Sequence, residues 1–129
     1  MNFFQRRKIL KKVNFLDLIP VRMIGEEPGE AGKISLLMPR FKSRVSSAMF
    51  QPRSKDHYIR IKLDAFGSDT WMLIDGNRSV AAISDRLNAV HPEKMNPPDE
   101  TPERVTKFLS MLYQQRYISF REIMDGIHS

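Results

Sequence analysis

The sequence predicts a small α+β fold, in which antiparallel strands are followed by three helices and a short closing strand. Two patterns carry this prediction. Residues 58–63 alternate between polar and apolar side chains, which is the period of a half-buried strand. Residues 105–112 place apolar side chains at i, i+3, i+4 and i+7, which is the period of an amphipathic helix.

Three strands are expected before the helices. Short apolar runs at 21–24 and 34–38 flank residues 25–32, which are dense in glycine, glutamate and proline. Because such composition is typical of turns, 21–38 is predicted to form a hairpin with a long loop. The third strand is the alternating one. Its buried face is predicted to carry Ile59, Ile61 and Leu63, and its exposed face Tyr58, Arg60 and Lys62.

Capping residues bound the first two predicted helices. Asp64 precedes the first helix, at about 65–74, and its carboxylate suits the unpaired N–H groups of the first turn. Gly76 follows that helix and suits a left-handed C-cap. Ser79 is predicted to cap the second helix, at about 80–89. The apolar face of this second helix is Val80, Ile83 and Leu87.

The third helix is predicted to begin with a capping hydroxyl from Thr101 and with Pro102 in its first turn. Tyr117 to Phe120 alternates and is predicted to close the fold as a short strand. Residues 121–129 are predicted to form a frayed tail. The apolar stripe of the third helix is Val105, Phe108, Leu109 and Leu112.

Charge divides the chain into a neutral core and basic surroundings. Residues 57–120 contain eight Lys or Arg and eight Asp or Glu, so the net charge of +6 lies outside them. We predict a basic and apolar arm at 1–20, one domain at 21–120 with its core at 57–120 and a basic loop at 39–55, and a tail at 121–129. A neutral core disfavours a nucleic-acid partner, because phosphate binding demands clustered cations.

No residues in the sequence form a recognisable catalytic or metal-binding motif. There is no cysteine, and His57, His91 and His128 show no ligand-type spacing to one another or to paired carboxylates. The serines lack a nucleophile elbow, and the glycines form no phosphate-binding loop. We predict a protein that is not an enzyme and that holds no metal or cofactor.

The N-terminus is basic, but the apolar residues behind it are interrupted by Lys11, Lys12, Asn14 and Asp17. A secretory signal requires an unbroken apolar centre, and a membrane-spanning helix requires about 20 apolar residues. The sequence therefore predicts a cytoplasmic protein without a membrane partner. It leaves the oligomeric state open, a homodimer included.

Two stretches of the sequence follow the residue order of a known family. The first order is Leu63-Asp64-x-Phe66-Gly67-Ser68-x-x-Trp71-x-Leu73-Ile74-Asp75-Gly76-x-Arg78-Ser79-Val80-x-x-Ile83-x-x-x-Leu87. The second is Val105-x-x-Phe108-Leu109-x-x-Leu112-x-x-x-x-Tyr117-Ile118. Together they resemble the PqqD family, the coenzyme PQQ synthesis protein D-like proteins. The family often has glycine where this chain has Arg116, and the basic segment 40–55 lies outside its minimal core.

This resemblance implies a winged-helix-like domain without catalytic residues. It also implies a function in a PQQ biosynthesis-like pathway, as a peptide chaperone called a RiPP recognition element. Such a domain binds the leader segment of a ribosomally synthesised precursor peptide. It then presents that peptide to a modifying enzyme, typically a radical S-adenosylmethionine (radical SAM) protein. The leader adds to the sheet as an extra strand and rests on the third helix.

Carried onto this sequence, the resemblance implies two groups of peptide-binding residues. The strand group is Tyr58, Ile59, Arg60, Ile61 and Lys62, and the helix group is Arg104, Phe108 and Met111. An edge strand offers backbone donors and acceptors to an extended peptide. Arg60 and Lys62 are expected to meet acidic residues of the leader. Ile61→Pro is expected to abolish binding by removing an edge donor.

Two alternative functions stay open at this point. A winged helix can place its third helix in the major groove of DNA, where Arg104, Lys107 and Arg116 would be among the polar readers. The second alternative is an adaptor that binds another protein without any leader peptide.

Overall fold

The computed structural model describes residues 14–39 and 58–126, so most of the predicted arm and basic loop lie outside the described residues. The predicted α+β class, with strands first, then three helices and a closing strand, is confirmed. The elements in chain order are β1 (Pro20–Arg22), β2 (Gly25–Pro28), β3 (Ile34–Pro39), β4 (Tyr58–Lys62), α1 (Ala65–Met72), α2 (Val80–Val90), α3 (Thr101–Gln114), β5 (Ile118–Phe120) and α4 (Arg121–Gly126).

The chain divides into two compact units. Of the described residues, 14–23 and 69–126 form one, which we call the helical unit, and 24–39 and 58–68 form the other, which we call the sheet unit. In the helical unit β1 pairs with β5, and in the sheet unit the strand order is β2-β3-β4. Helix α1 contains the boundary between the two units.

The core of the helical unit follows the helical period seen in the sequence. On α3, Val105, Leu109 and Leu112 are no more than 1% exposed, and α2 buries its predicted apolar face to the same degree. Leu18, from the end of the predicted arm, is also 1% exposed, and its carbonyl accepts a hydrogen bond from the N–H of Val80 at 2.9 Å. The described residues just before β1 therefore pack as part of this unit.

Two of the predicted helix caps, those of Asp64 and Ser79, are confirmed. The Asp64 carboxylate accepts the N–H of Gly67 at 2.7 Å, and the Ser79 hydroxyl accepts the N–H of Ala82 at 3.1 Å. Gly76 has the expected positive φ, 81°, but α1 ends at Met72, so the prediction that Gly76 caps this helix is wrong. The capping prediction for Thr101 is wrong.

Thr101 is already the first helical residue of α3, one position past the N-cap, and its hydroxyl is directed to α2 instead. It donates to Oδ1 of Asn88 on α2 at 2.6 Å, and the side chain of Thr101 is fully buried. The first residue of α3 thus ties two helices together and makes no side-chain cap at the helix start.

The predicted hairpin of 21–24 with 34–38 is wrong. Residues 20–22 pair with β5, and the partner of β3 is β2, which occupies the segment that was expected to be loop. The turn between β2 and β3 is short, and the N–H of Gly29 donates to the carbonyl of Lys33 at 2.7 Å. Pairing with β3 holds β2 extended despite its low intrinsic β-propensity.

Residues 121–126 form α4, so the predicted frayed tail is wrong for this part of the chain; 127–129 lie outside the described residues. Two hydrogen bonds and one buried side chain fix the helix. The N–H of Ile19 donates to the Glu122 carboxylate at 3.0 Å, and the N–H of Arg121 donates to the carbonyl of Ile19 at 2.8 Å. Ile123 is 3% exposed.

Arg116 ends α3 in a left-handed conformation, with a φ of 66°. The N–H of Tyr117 donates to the carbonyl of Leu112 at 2.9 Å, which is the long-range bond of a Schellman motif. Glycine is the residue that this position favours, because it has no Cβ to clash there.

Candidate functional site

Strand β4 is the edge of the three-stranded sheet in the sheet unit. Its bounds, Tyr58–Lys62, coincide with the predicted strand group. Within residues 14–39 and 58–126, β4 pairs with β3 along one side and with no strand along the other, which we call the outer edge.

The hydrogen-bond register decides which β4 groups point toward the outer edge. The N–H of Leu63 donates to the carbonyl of Ile34 at 3.0 Å. Bonded and non-bonded pairs alternate in an antiparallel ladder, so the next bonded pair is Ile61 with Leu36. The residues whose backbone N–H and C=O groups are directed away from β3 are Tyr58, Arg60 and Lys62.

The expected mechanism of Ile61→Pro is therefore wrong. The N–H of Ile61 is directed to Leu36 inside the sheet, so proline at this position breaks a ladder bond and removes no outward donor. Lys62→Pro is the substitution that removes an outward donor and leaves the ladder intact.

The opposite edge of the sheet, on β2, is poor in donors. The N–H of Gly29 bonds to Lys33, so by the same alternation Glu27 and Gly25 bond to β3 and the groups of Glu26 and Pro28 are directed away. Proline has no N–H, and prolines protect sheet edges against strand addition. The two edges of the sheet therefore differ in their capacity to accept a strand.

The two faces of β4 differ in chemistry as the alternation predicts, but burial changes along the strand. Leu63, just beyond β4, is 8% exposed, Ile61 is half-buried and Ile59 is 44% exposed. Ile59 was expected on a buried face and is open to solvent. On the other face Arg60 and Lys62 are exposed, and Tyr58 is half-buried. An apolar side chain and two cations are thus accessible on opposite faces of one strand.

Arg60 forms an ion pair with Glu27 of β2. Leu37 lies opposite Arg60 on β3, so the arginine side chain crosses the middle strand to reach its partner. Lys62 forms no ion pair with any described residue. Within the described part of the sheet unit, Glu27 therefore compensates the charge of Arg60, whereas no acidic side chain pairs with Lys62.

The helix group lies on α3, in the helical unit. Arg104, Phe108 and Met111 follow one another at i, i+4 and i+7, beside the buried stripe of the same helix. Arg104 is exposed and donates to the carbonyl of Lys94 at 3.3 Å, Phe108 is half-buried and Met111 is 49% exposed. The three residues share one partly exposed strip of α3.

The sheet unit also holds a cavity of about 450 Å³, which the sequence did not reveal. It lies along the face of Arg60 and Lys62, and the β2–β3 turn forms its wall. Its polar lining is Glu27, Glu30, Lys33, Ser35, Arg60 and Lys62. Only the pairing of β3 with both β2 and β4 brings these residues together, so no local sequence signal could have found them.

Among the described residues no group of three or more His, Cys, Asp or Glu side chains could hold a metal ion. His91 lies 3.6 Å from the Asp69 carboxylate, which Lys94 also approaches to 3.6 Å, and His57 and His128 lie outside the described residues. No helix in the described part of the chain is both long and apolar enough to span a bilayer.

The fold defines a class: a small α+β domain whose three-stranded sheet ends, within the described residues, at β4. The family model of coenzyme PQQ synthesis protein D (PqqD) matches residues 48–118, more than half of the chain, and the chain belongs to the PqqD family. No curated protein and no solved structure matches it. PqqD proteins are non-catalytic accessory domains, and the family implies a recognition role in PQQ-type synthesis. Its implied partners are a precursor peptide and a PQQ-synthesis enzyme.

Proposed function

We propose that this chain binds the leader of a ribosomally synthesised precursor peptide along the outer edge of β4 and presents it to a radical SAM-type enzyme. The observation that carries the proposal is the register of β4, which directs the backbone groups of Tyr58, Arg60 and Lys62 out of the sheet. Family membership supplies the kind of peptide.

The difference between the two sheet edges supports β4 over β2 as the docking strand. An added strand gains its affinity from main-chain hydrogen bonds, each worth about 0.5–1.5 kcal/mol net. The outer edge of β4 directs three N–H groups outward, whereas Pro28 leaves β2 with one, that of Glu26. Specificity then comes from the alternate side chains of the two β4 faces.

The helix group is proposed as a second set of peptide contacts. The family resemblance assigns this role to the third helix, and Met111 is an exposed apolar side chain on it. Met111→Ala is expected to weaken peptide binding while the unfolding midpoint stays within error of the wild type. Because these residues belong to the helical unit, this substitution tests them independently of β4.

The proposal is tested by titrating the ¹⁵N-labelled chain with synthetic peptides encoded by short reading frames beside its gene. We expect a leader peptide to shift the amide signals of Tyr58, Arg60 and Lys62. Lys62→Pro is expected to bind about 2- to 10-fold more weakly than Lys62→Ala, which loses the same side chain but keeps the backbone N–H, because proline loses one backbone hydrogen bond. Glu26→Pro is the matched control, because it removes the outward donor of the opposite edge, and it should leave the affinity unchanged.

Two results would contradict the proposal. One is saturable binding of a leader that leaves the β4 amides unshifted; the other is a folded Lys62→Pro variant that binds as tightly as Lys62→Ala. The enzyme partner is tested separately, by the rate at which the neighbouring radical enzyme modifies its peptide with and without this chain. An unchanged rate argues against presentation while leaving peptide binding intact.

A further inference from the structure

We propose that the β4 edge selects a peptide with an acidic side chain opposite Lys62, through a carboxylate subsite formed by Lys62 and Ser35. This inference rests on the proposed strand addition and names the side-chain chemistry that the edge would select. The sequence suggested acidic partners for both Arg60 and Lys62; the structure favours one of the two and adds a residue that sequence reasoning did not consider.

The subsite follows from a row of residues that crosses the sheet. Glu27 of β2 lies opposite Ser35 of β3, and Ser35 lies opposite Lys62 of β4. Directly opposed residues project from the same face of a sheet. A peptide strand that pairs with β4 would continue this row, with one side chain beside Lys62 on the face of the cavity.

Ser35 supplies a second donor close to the same place. It is 8% exposed, it lines the 450 Å³ cavity, and its hydroxyl makes no hydrogen bond with another described residue. A hydroxyl and an ammonium group both donate, and a carboxylate with two oxygens accepts from both. Hydrogen bonds between charged partners are about twice as strong as neutral ones.

The two β4 cations are not equivalent. Arg60 is already paired with Glu27, so a peptide carboxylate that bound Arg60 would have to compete with the Glu27 carboxylate. Lys62 has no acidic partner among the described residues, and a basic peptide side chain opposite it would be repelled. Lys62 is therefore the residue that sets the sign of the preferred peptide charge.

The wall of the cavity is fixed before any peptide arrives. The turn that forms it is closed by the bond from Gly29 to Lys33 and by a second bond, from the N–H of Lys33 to the carbonyl of Glu30 at 3.1 Å. A Cβ at Gly29 would lie 3.0 Å from the carbonyl oxygen of Lys33, so any larger residue there requires a small shift of the turn. Because the turn is already ordered, less conformational entropy is lost when a peptide binds against it.

The test uses three capped decapeptides in which valine alternates with glutamate, with serine or with lysine. Alternation presents the same side chain to Lys62 even if the peptide shifts by two residues. We expect the glutamate peptide to bind about fivefold more tightly than the serine peptide, and the lysine peptide to bind most weakly. Lys62→Glu should reverse this order, and Ser35→Ala should reduce the glutamate preference while the serine peptide keeps its affinity.

Arg86→Glu is the matched control, since it makes the same charge change at an exposed position on α2. The Arg86→Glu variant should bind the three peptides in the same order of affinity as the wild type. It thereby distinguishes an effect of the subsite from an effect of the protein's overall charge. Equal preferences in the Lys62→Glu and Arg86→Glu variants would overturn the inference. If the decapeptides shift the β4 amide signals but bind with the same affinity whatever their charge, the carboxylate subsite is wrong and strand addition still holds. If neither the decapeptides nor the peptides encoded beside the gene shift the β4 amide signals, strand addition itself is wrong.

Discussion

Replacing Arg116 by glycine is expected to stabilise the helical unit. Arg116 has a φ of 66°, a conformation that costs an L-residue about 1–2 kcal/mol and glycine almost nothing. Its side chain is exposed and makes no hydrogen bond or ion pair with another described residue, so truncation loses no contact there. The Schellman bond from Tyr117 to Leu112 involves backbone atoms only and is retained.

The magnitude follows from two opposing contributions. Relief of the left-handed strain contributes about 1–2 kcal/mol, and the larger freedom of glycine in the unfolded chain offsets about 0.4–1 kcal/mol of it. The net gain in the free energy of unfolding is about 0.5–1 kcal/mol, which raises Tm by roughly 2–4 °C.

Urea unfolding measures this gain through the fluorescence of Trp71, the single tryptophan of the chain and a fully buried one. Gln115→Gly is the matched control, because Gln115 is exposed and has an ordinary right-handed φ of −83°. Glycine there should destabilise the chain by about 0.5–1 kcal/mol. If both glycine variants lose stability alike, the explanation from backbone strain is refuted.

Three further predictions concern the helical unit. Leu109→Ala should lower the free energy of unfolding by about 2–5 kcal/mol in a urea titration, because Leu109 is fully buried. Ser79→Ala should cost about 1 kcal/mol, since it removes the cap of α2, and circular dichroism during heating would show an unchanged Tm if this is incorrect. The backbone N–H groups of Asn77 and Arg78 donate to Asp75 and hold the pKa of its carboxyl below the usual value. The stabilisation from Asp75 is therefore complete above the usual pKa of about 3.9 and is lost as the pH falls through the lower folded-state pKa. Asp75→Asn should destabilise the chain more at pH 7 than at pH 3, and an equal loss at both pH values would contradict this reasoning.

The parts of the fold that local chemistry determines could be predicted from the sequence. Strand β4 and helix α3 carry clear periods of two and 3.6 residues, and their positions agree with those periods. Asp64 and Ser79 act at helix ends as their side chains suggest. Each of these features depends on neighbours within a few residues.

The parts that depend on distant pairing could not be predicted. Strand β2 has the composition of a turn and is extended only because β3 lies beside it. The partner of β1 is almost 100 residues away in the sequence, and no pattern within residues 20–22 indicates which strand it is. The same limit applies to the candidate site: Ser35 and Glu27 enter it through the sheet register, which no local motif encodes.

The pairing of β1 with β5 has a consequence for the order of folding events. It closes a loop of about 95 residues, at an entropic cost of about 4 kcal/mol, whereas closing the five-residue β2–β3 turn costs about 1.5 kcal/mol. The β2–β3 hairpin is therefore expected to form before the folding transition state, and the β1–β5 pair is expected to form after it. Substitutions in β1 should accelerate unfolding and leave the refolding rate nearly unchanged, and those in the β2–β3 turn should slow refolding.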